Sequence, residues 1–452
     1  MIEKIYTVTD LGPGDGGKGS VIQSLCARFH PAVVIKEGGA QGSHGIDACG
    51  ETFSFSQWGC GTFNAVQTYL SKRMVIAPSM LLREAEALRR YGIYDAFKTI
   101  SASPECLCST PYHMHISQIN EMSRGQNPRG TVGSGVGVAY REYATALQES
   151  LASVNRLIFA RDLLSADLPK KINAARERAR EVARRVDIND LDENDQIHFA
   201  NICRAIDDSN VYNEIVDEFR EVGKKLGLES LETLMKRKRG KIAVVERSHG
   251  VLTDAEYGLK PHVSALRTLP CFSEEMFRGS GFEGEIINIG VHRAYEYRHG
   301  AGPMPSADSN YMSDLPRDNN RWQGASRYGY IDTVLMRYAL DVSRPVKFDG
   351  IALTCMDQVL DHGNWPICKA YKLDDEEYLD LKDLGNYNLF NKIDRVEIAT
   401  DAYSFDEEYA DSKKAIALRC ADILSNYLDV PLCMLSFGSS ERDKYYIPRR
   451  KK

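Results

Sequence analysis

KIYTVTDLGPGDGGKGSVIQSLCARF, residues 4–29, reads as a buried strand, a glycine-rich loop and an apolar-periodic helix in immediate succession. The first seven residues form a short run rich in Val, Ile and Tyr, which suits a strand covered on both faces. The last eleven, GSVIQSLCARF, carry apolar residues at helical spacing. Between them Gly12-Pro-Gly-Asp-Gly-Gly-Lys-Gly-Ser20 supplies backbone freedom where a strand must turn sharply into a helix.

The same kind of run recurs along the chain: AVVIKEG at 32–38, KIAVVERSHG at 241–250, EIINIGV at 285–291, GIALTCMD at 350–357 and VPLCMLSFG at 430–438. Helical patterns lie between them, as in YIDTVLMRYAL at 330–340. The expectation is an α/β fold: a large, mostly parallel, twisted sheet with helices on both faces. Ligands of such sheets bind beyond the carboxyl ends of the strands, here residues 10–20, 38–46, 246–254, 298–306, 354–361 and 436–442. Residues 150–240 differ, because KKINAARERAREVARRVD and DEFREVGKKLGLESLETLMKRKRGK are amphipathic or highly charged without strand signals. They are expected to be a helical insertion. Its basic face (Arg176, Arg178, Arg180, Arg184, Arg185) and the KRKRGK run at 236–241 read more readily as solvated helix surface than as a nucleic-acid contact.

With 452 residues, 43% hydrophobic and 27% charged, the chain is globular in composition. A net charge of −6 argues against a nucleic-acid coat or a membrane-surface protein. No run approaches the roughly 20 apolar residues of a membrane span, and the start lacks a secretory pattern. Eleven scattered cysteines, several in apolar runs, point to buried reduced thiols and a cytoplasmic setting. Cys106, Cys108, His113 and His115 are metal-ligating types, but their spacing matches no standard zinc pattern.

The glycine loop carries the chemistry. Its N–H groups and the following helix N-terminus favour phosphate oxygens, and Lys18 adds a point charge. Gly12 to Lys18 fits G-x-x-x-x-G-K, yet Gly19 stands where a P-loop places a Ser or Thr for Mg²⁺. Asp15 is the informative departure. A carboxylate beside polyphosphate is repelled unless it ligates a metal or takes a proton; the bland alternative is a turn capped by an Asp. A second loop, GGAQGSHGI at 38–46, places His44 among glycines at a strand end, a fair position for stabilising transition-state charge.

The two loops resemble those of adenylosuccinate synthetases, which read G-D-E-G-K-G and GG-x-N-A-G-H, here Gly14 to Gly19 and Gly38 to His44. Further segments are similar in the same order: GTVGSGVGVAY at 130–140, VERSHGVLTD at 245–254, KPHVSA at 260–265, RAYEYRHGAGPMPSAD at 293–308, YGYIDTVLMRYA at 328–339, ALTCMDQVLD at 352–361 and LSFGSSERD at 435–443. The resemblance implies a single α/β domain of this type over 1–452, with 150–240 inserted in it. It also implies a GTP- and Mg²⁺-dependent ligase that phosphorylates O6 of a purine nucleoside monophosphate and joins an amino acid, aspartate in the family, at C6. Asp15 and His44 would be catalytic. Gly14, Gly16, Gly17, Lys18, Gly19, Asp357, Ser436 and Gly438 would bind GTP. Gln41, Thr131, His249 and Ser264 would hold the acceptor nucleotide, and Asp15 with the Ser43 carbonyl would hold Mg²⁺. The family is homodimeric, with an arginine reaching the neighbouring subunit's nucleotide; Arg156 and Arg161 are the nearest counterparts.

The departures fall on the acceptor side. Ser134, Val132, His249, Ser264 and Gln41 replace the family's arginine, threonine, glutamine, threonine and asparagine, and Cys355 replaces a lysine near Asp357. The arginine-rich loop for the aspartate carboxylates is reduced to WQGASRYG at 322–329, leaving Arg327, with Arg298 or Arg321 as compensating charges. Each charge-assisted bond lost is worth about 1.5–3 kcal/mol. The resemblance then implies IMP or a (d)GMP-like nucleotide as the acceptor, the latter as in the phage branch that makes 2-aminoadenylosuccinate, and aspartate or another amino acid as the amine. Two alternatives stay open: a relative that stops after phosphoryl transfer, and a non-catalytic GTP-binding protein.

Overall fold

The strand Lys4–Asp10 lies inside an eleven-stranded sheet of a computed structural model that describes residues 1–48, 50–381, 392–405 and 412–448. Across the sheet the order is Lys444–Tyr446, Leu432–Ser436, Gly350–Thr354, Glu285–Arg293, Lys4–Asp10, Ile242–Gly250, Val33–Gly39, Gln67–Ile76, Ile100–Ala102 and Gly227–Leu228. Leu107–Cys108 also pairs with Gln67–Ile76. Every pairing is parallel except that of Leu432–Ser436 with the edge strand Lys444–Tyr446. All six apolar runs are strands of this sheet.

Side chains alternate across the sheet. Val8 packs with Val21, Ile22 and Leu25 of the helix Lys18–Phe29. Ile5 packs on the other face with Phe277 of the helix Cys271–Gly279. Gln67–Ile76 escapes the sequence reading because Ser71, Lys72 and Arg73 interrupt its apolar pattern. Its partner strand slips register between Lys36 and Gly38 to accommodate it.

Residues 151–237 hold the helices Leu151–Val154, Leu168–Ala183, Glu193–Asp207, Ser209–Lys225 and Leu231–Arg237. Ile172, Phe199, Ile202 and Phe219 join the main core, and Gly227–Leu228 adds an edge strand to the sheet. The basic face is largely consumed internally. Arg176 is buried and donates to the carbonyls of Ile206 and Asp207, Arg178 pairs with Glu142, and Arg180 pairs with Glu177 and Asp207.

The Cys106, Cys108, His113, His115 quartet is divided among structural tasks. Cys106 Sγ donates to the Ser71 carbonyl, Cys108 is buried, and His113 caps the helix Pro111–Met122 through Thr110. Burial and the neighbouring His198 push His115 down to about 4. The ten described cysteines are all free thiols; six are buried, while Cys203, Cys271, Cys355 and Cys433 are half-buried. Cys49 lies outside the described residues. No helix of the described residues is long and apolar enough to cross a membrane.

Candidate functional site

The glycine loop is built around an internal anion. Asp10, the last residue of its strand, accepts from the backbone N–H of Gly12 (2.9 Å) and Gly16 (2.8 Å) and from Lys18 Nζ (2.6 Å). Burial alone would raise its pKa; Lys18 and the loop hydrogen bonds overcome that and hold it below the usual carboxylate range. Two glycines are required by their surroundings. Gly17 has φ +83°, and a Cβ there would meet Thr354 Oγ1 at 2.8 Å; that hydroxyl donates to the Gly16 carbonyl. At Gly19 a Cβ would lie 2.6 Å from the Gly45 carbonyl oxygen, so the P-loop hydroxyl is excluded by the second loop.

Asp15 takes the left-handed conformation, φ +56°, which costs a non-glycine residue of order 1 kcal/mol or more. Arg293, at the end of the neighbouring strand, fixes it by donating Nε–H to the Asp15 carbonyl at 2.6 Å. The carboxylate itself is 49% exposed, with His299 Nε2 at 3.7 Å. A strand end thus grips the backbone, while the carboxylate stays half exposed beside His299.

His44 is buried, and its Nδ1 lies 2.7 Å from Glu246 Oε1. Glu246 also pairs with Lys36 Nζ at 2.8 Å and accepts from the Cys60 N–H at 2.8 Å. Burial opposes the Glu246 charge, but Lys36 and His44 keep it ionised well below the normal range. His44 Nε2 has no partner. Burial lowers His44's proton affinity more than Glu246 raises it. His249 is half-buried, with Nε2 2.9 Å from Gln41 Nε2 and with a buried Nδ1 that is unpartnered. Burial, with Lys18 and His44 close by, brings its pKa to about 4, so the imidazole is neutral.

Asp15 and His249 border a cleft of about 210 Å³, whose lining does not include His44 or Lys18. Gly14, Asp15, Gln41, Thr131, His249 and Ser264 line it, so the residues expected at the acceptor nucleotide share a cleft with the loop carboxylate. Arg298 lines it too, and faces Arg327 across an antiparallel pair of strands. Arg327 donates to the Gly302 carbonyl while its Nε is unpartnered. Burial and the Arg327 charge bring Arg298 down to about 10. Neither guanidinium makes an ion pair among the described residues, although the charges of Glu296 and Asp394 act on Arg298 and Arg327 respectively. Arg321 lies elsewhere, paired with Asp195.

Asp357, Ser436 and Gly438 lie toward the antiparallel edge of the sheet. Asp357 opens the helix Met356–His362; its Oδ1 is buried without a partner, and burial with the charges of Asp361 and Asp443 raises its pKa. Ser436 Oγ donates to the Gly438 carbonyl, and Gly438 has φ +150° beside the Asp443 carboxylate. For a hard cation the available oxygens are the exposed Asp15 carboxylate and the exposed Ser43; the Asp15 carbonyl is taken by Arg293.

Sequence reasoning missed Asp10, Glu246, Arg293 and the Arg298–Arg327 pairing. An acid that follows an apolar run directly, at the end of KIYTVTD and within KIAVVERSHG, is the signal that could have found the first two. The other two depend on strand register.

A family model for adenylosuccinate synthetase matches residues 8–445. The chain is 28% identical to the adenylosuccinate synthetase of Myxococcus xanthus over 391 residues, 83% of this chain and 82% of that protein. To that of Pseudomonas fluorescens it is 26% identical over 377 residues, 81% and 80% respectively. The fold is similar to the fully ligated adenylosuccinate synthetase of Plasmodium falciparum, with a TM-score of 0.75 at 17% identity over 98% of this chain and 99% of that one. It is also similar to the cyanophage S-2L succinoaminodeoxyadenylate synthetase bound to dGMP and dATP, with a TM-score of 0.57 at 12% identity over 99% and 96%. Matched along nearly its whole length, the chain belongs to the adenylosuccinate synthetase family of GTP-dependent carbon–nitrogen ligases.

Proposed function

We propose that this protein transfers the γ-phosphoryl group of GTP to O6 of a purine nucleoside monophosphate, IMP or a (d)GMP-like nucleotide, and then joins an amino acid amine at C6. The observation that carries the reading is Asp15: a strained residue pinned through its backbone, with its half-exposed carboxylate in the cleft beside His299 and the phosphate-type loop at its back.

Asp15 takes the proton from purine N1, so that O6 gains the electron density to attack phosphorus. The O6–P bond forms, the bond to the bridging oxygen of GDP breaks, and a poor leaving group becomes a phosphate. The amine nitrogen then bonds to C6 as phosphate departs. His44 Nε2 would donate to the oxygen charge that develops during transfer once the imidazole takes up a second proton, a change that burial opposes and that the arriving phosphate charge would favour, with Glu246 as the counter-ion. Asp15 and the Ser43 carbonyl would hold Mg²⁺, which when bound offsets the charge of the phosphates.

Two further observations support the substrates. Asp357 keeps a buried carboxylate oxygen without a partner, an acceptor suited to guanine N1–H and N2–H₂ and unsuited to the N1 lone pair of adenine. Arg298 and Arg327 stand together without an ion pair among the described residues, which favours a dicarboxylic amino acid such as aspartate and weighs against a protein that stops after phosphoryl transfer.

The test is to incubate the enzyme with GTP, Mg²⁺, IMP or dGMP, and single amino acids, following phosphate release and nucleotide mass. Release that requires the amine, with a matching mass gain, is expected. Release indifferent to the amine, or GTP binding without turnover, would refute the ligase reading.

A further inference from the structure

We infer that His198, on the helical insertion, and Trp322 are positioning residues that clamp the loop 130–135 in place along the acceptor cleft. This gives the insertion a task in the reaction, and it rests on the reading above that the cleft takes the acceptor nucleotide.

The loop carries Thr131 and, with Gly130, Val132 and Ser134, lines the cleft that Asp15 also borders. Gly130, Gly133 and Gly135 all take positive φ, conformations that glycine enters and leaves at little cost. Such a loop keeps one shape only where its surroundings offset the entropy of ordering it. Those surroundings converge on Gly133. From one side Gln118, on the helix Pro111–Met122, donates Nε2–H to the Gly133 carbonyl at 3.4 Å. From another the Trp322 indole lies so close that a Cβ on Gly133 would stand 3.0 Å from its ring.

Both contacts lead back to one residue. His198, on the insertion helix Glu193–Asp207, has Nε2 3.3 Å from Gln118 Oε1 and its ring centroid 5.3 Å from that of Trp322. Burial and the Arg321 charge lower the His198 pKa, so a neutral imidazole donates Nε2–H to the amide oxygen and turns the Gln118 amide toward Gly133. Phe199 and Ile202 seat the same helix in the main core, which makes it a rigid support. Trp322 is held by its own hairpin, where the Asn320 side chain accepts the backbone N–H of Trp322 at 2.9 Å and of Gln323 at 3.3 Å. The Gln323 carbonyl in turn occupies the space a Cβ on Gly300 would need, so the hairpin also braces the turn after Arg298. Arg321 adds an ion pair with Asp195 of the insertion helix at 2.7 Å; it is half exposed and contributes little by itself.

The test compares the unmodified protein with His198→Ala, Trp322→Ala and the double variant, by amide hydrogen exchange without ligand and by calorimetry with IMP, dGMP and GTP. Exchange over 131–135 should speed up in each single variant, while exchange of the strand Lys4–Asp10 stays as it was. A loop that then holds its cleft-lining shape about a tenth of the time lowers the affinity for IMP and dGMP about 10-fold, with GTP affinity unchanged. Trp322→Phe should recover most of that loss. Because both residues act through Gly133, the double variant should lose less than the product of the two single losses. Should Trp322→Ala fail to fold, Gln118→Ala, which removes no ring, carries the same expectations. Unchanged exchange over 131–135, equal losses for GTP and the monophosphates, or losses that multiply in the double variant would each overturn the clamp. An unmodified protein that binds neither IMP nor dGMP would overturn the function proposed above, and the clamp would then stand or fall on the exchange data alone.

Discussion

Lys18 Nζ and Asp10 Oδ2 meet at 2.6 Å beneath the glycine loop, both withdrawn from solvent. Together with the N–H groups of Gly12 and Gly16, the lysine gives Asp10 the bonds that a loop of this kind gives a phosphate oxygen. The loop is therefore folded around an anion of its own. Lys18 has two roles, as counter-ion to Asp10 and as positive charge at the phosphate site, and substitutions can separate them.

Lys18→Met leaves a buried carboxylate unpaired, which costs about 3–5 kcal/mol. A clear drop in melting temperature is expected together with lost GTP affinity. The double variant Asp10→Asn, Lys18→Met should recover most of the stability and none of the affinity. Denaturant unfolding and nucleotide titration read the two effects separately; recovery of GTP binding in the double variant would contradict the phosphate role.

Asp15→Asn preserves shape and the Arg293 contact, which is made to the backbone. Turnover should fall at least about 10²-fold, the range for removal of a general base. The melting temperature should hardly move, because the side chain is half exposed. A residual rate close to that of the parent enzyme would remove Asp15 from its assigned role.

Glu246→Gln strips the partner from Lys36 and His44 in a dry site. Breaking a buried pair of this kind is expected to cost several kcal/mol, on the order of 3–5. Turnover should fall further than stability explains, since the imidazole loses its orienting carboxylate. Solubly folded protein with parental kcat would show that His44 needs no such support.

Arg327→Gln and Arg298→Gln address the amine. Each should raise the KM for a dicarboxylic amino acid by about 10- to 100-fold. Phosphate release at saturating amine should change less. Equal KM values for aspartate and alanine in the unmodified enzyme would remove the dicarboxylate from the scheme.

His292 gives a pH signature of stability. Burial disfavours its charge, but Glu296 at 3.1 Å, the Arg293 carbonyl and Asp10 raise its pKa to about 9. A folded pKa above the unfolded value of about 6.5 means that the stabilisation is complete below pH 6.5 and disappears as pH rises through about 9. The melting temperature should decline across that interval, and His292→Gln should flatten the decline. A profile in the variant that parallels the parent's would assign the effect to other groups.

Much of the architecture is legible because buried parallel strands need continuous apolar runs, and six of these stand out between Gly and polar residues. Gln67–Ile76 is not legible, since its Ser-Lys-Arg centre breaks the pattern and only its pairings with Val33–Gly39, Ile100–Ala102 and Leu107–Cys108 make it a strand. Asp15, Lys18 and His44 declare themselves through the glycines around them. His198 and Trp322 do not, because their contact joins a helix to a loop far away in the chain.

The order of residues along the chain determined the α/β sheet, the strand–loop–helix phosphate unit and an acid within it, because backbone conformation and burial depend on neighbours a few positions apart. Tertiary structure alone decided that Lys18 is neutralised by Asp10, that Arg293 holds Asp15 in a strained conformation and that Arg298 faces Arg327. Those relationships join residues from different strands and loops. Charge acts through space, so its consequences are set by where the register of the sheet delivers each side chain.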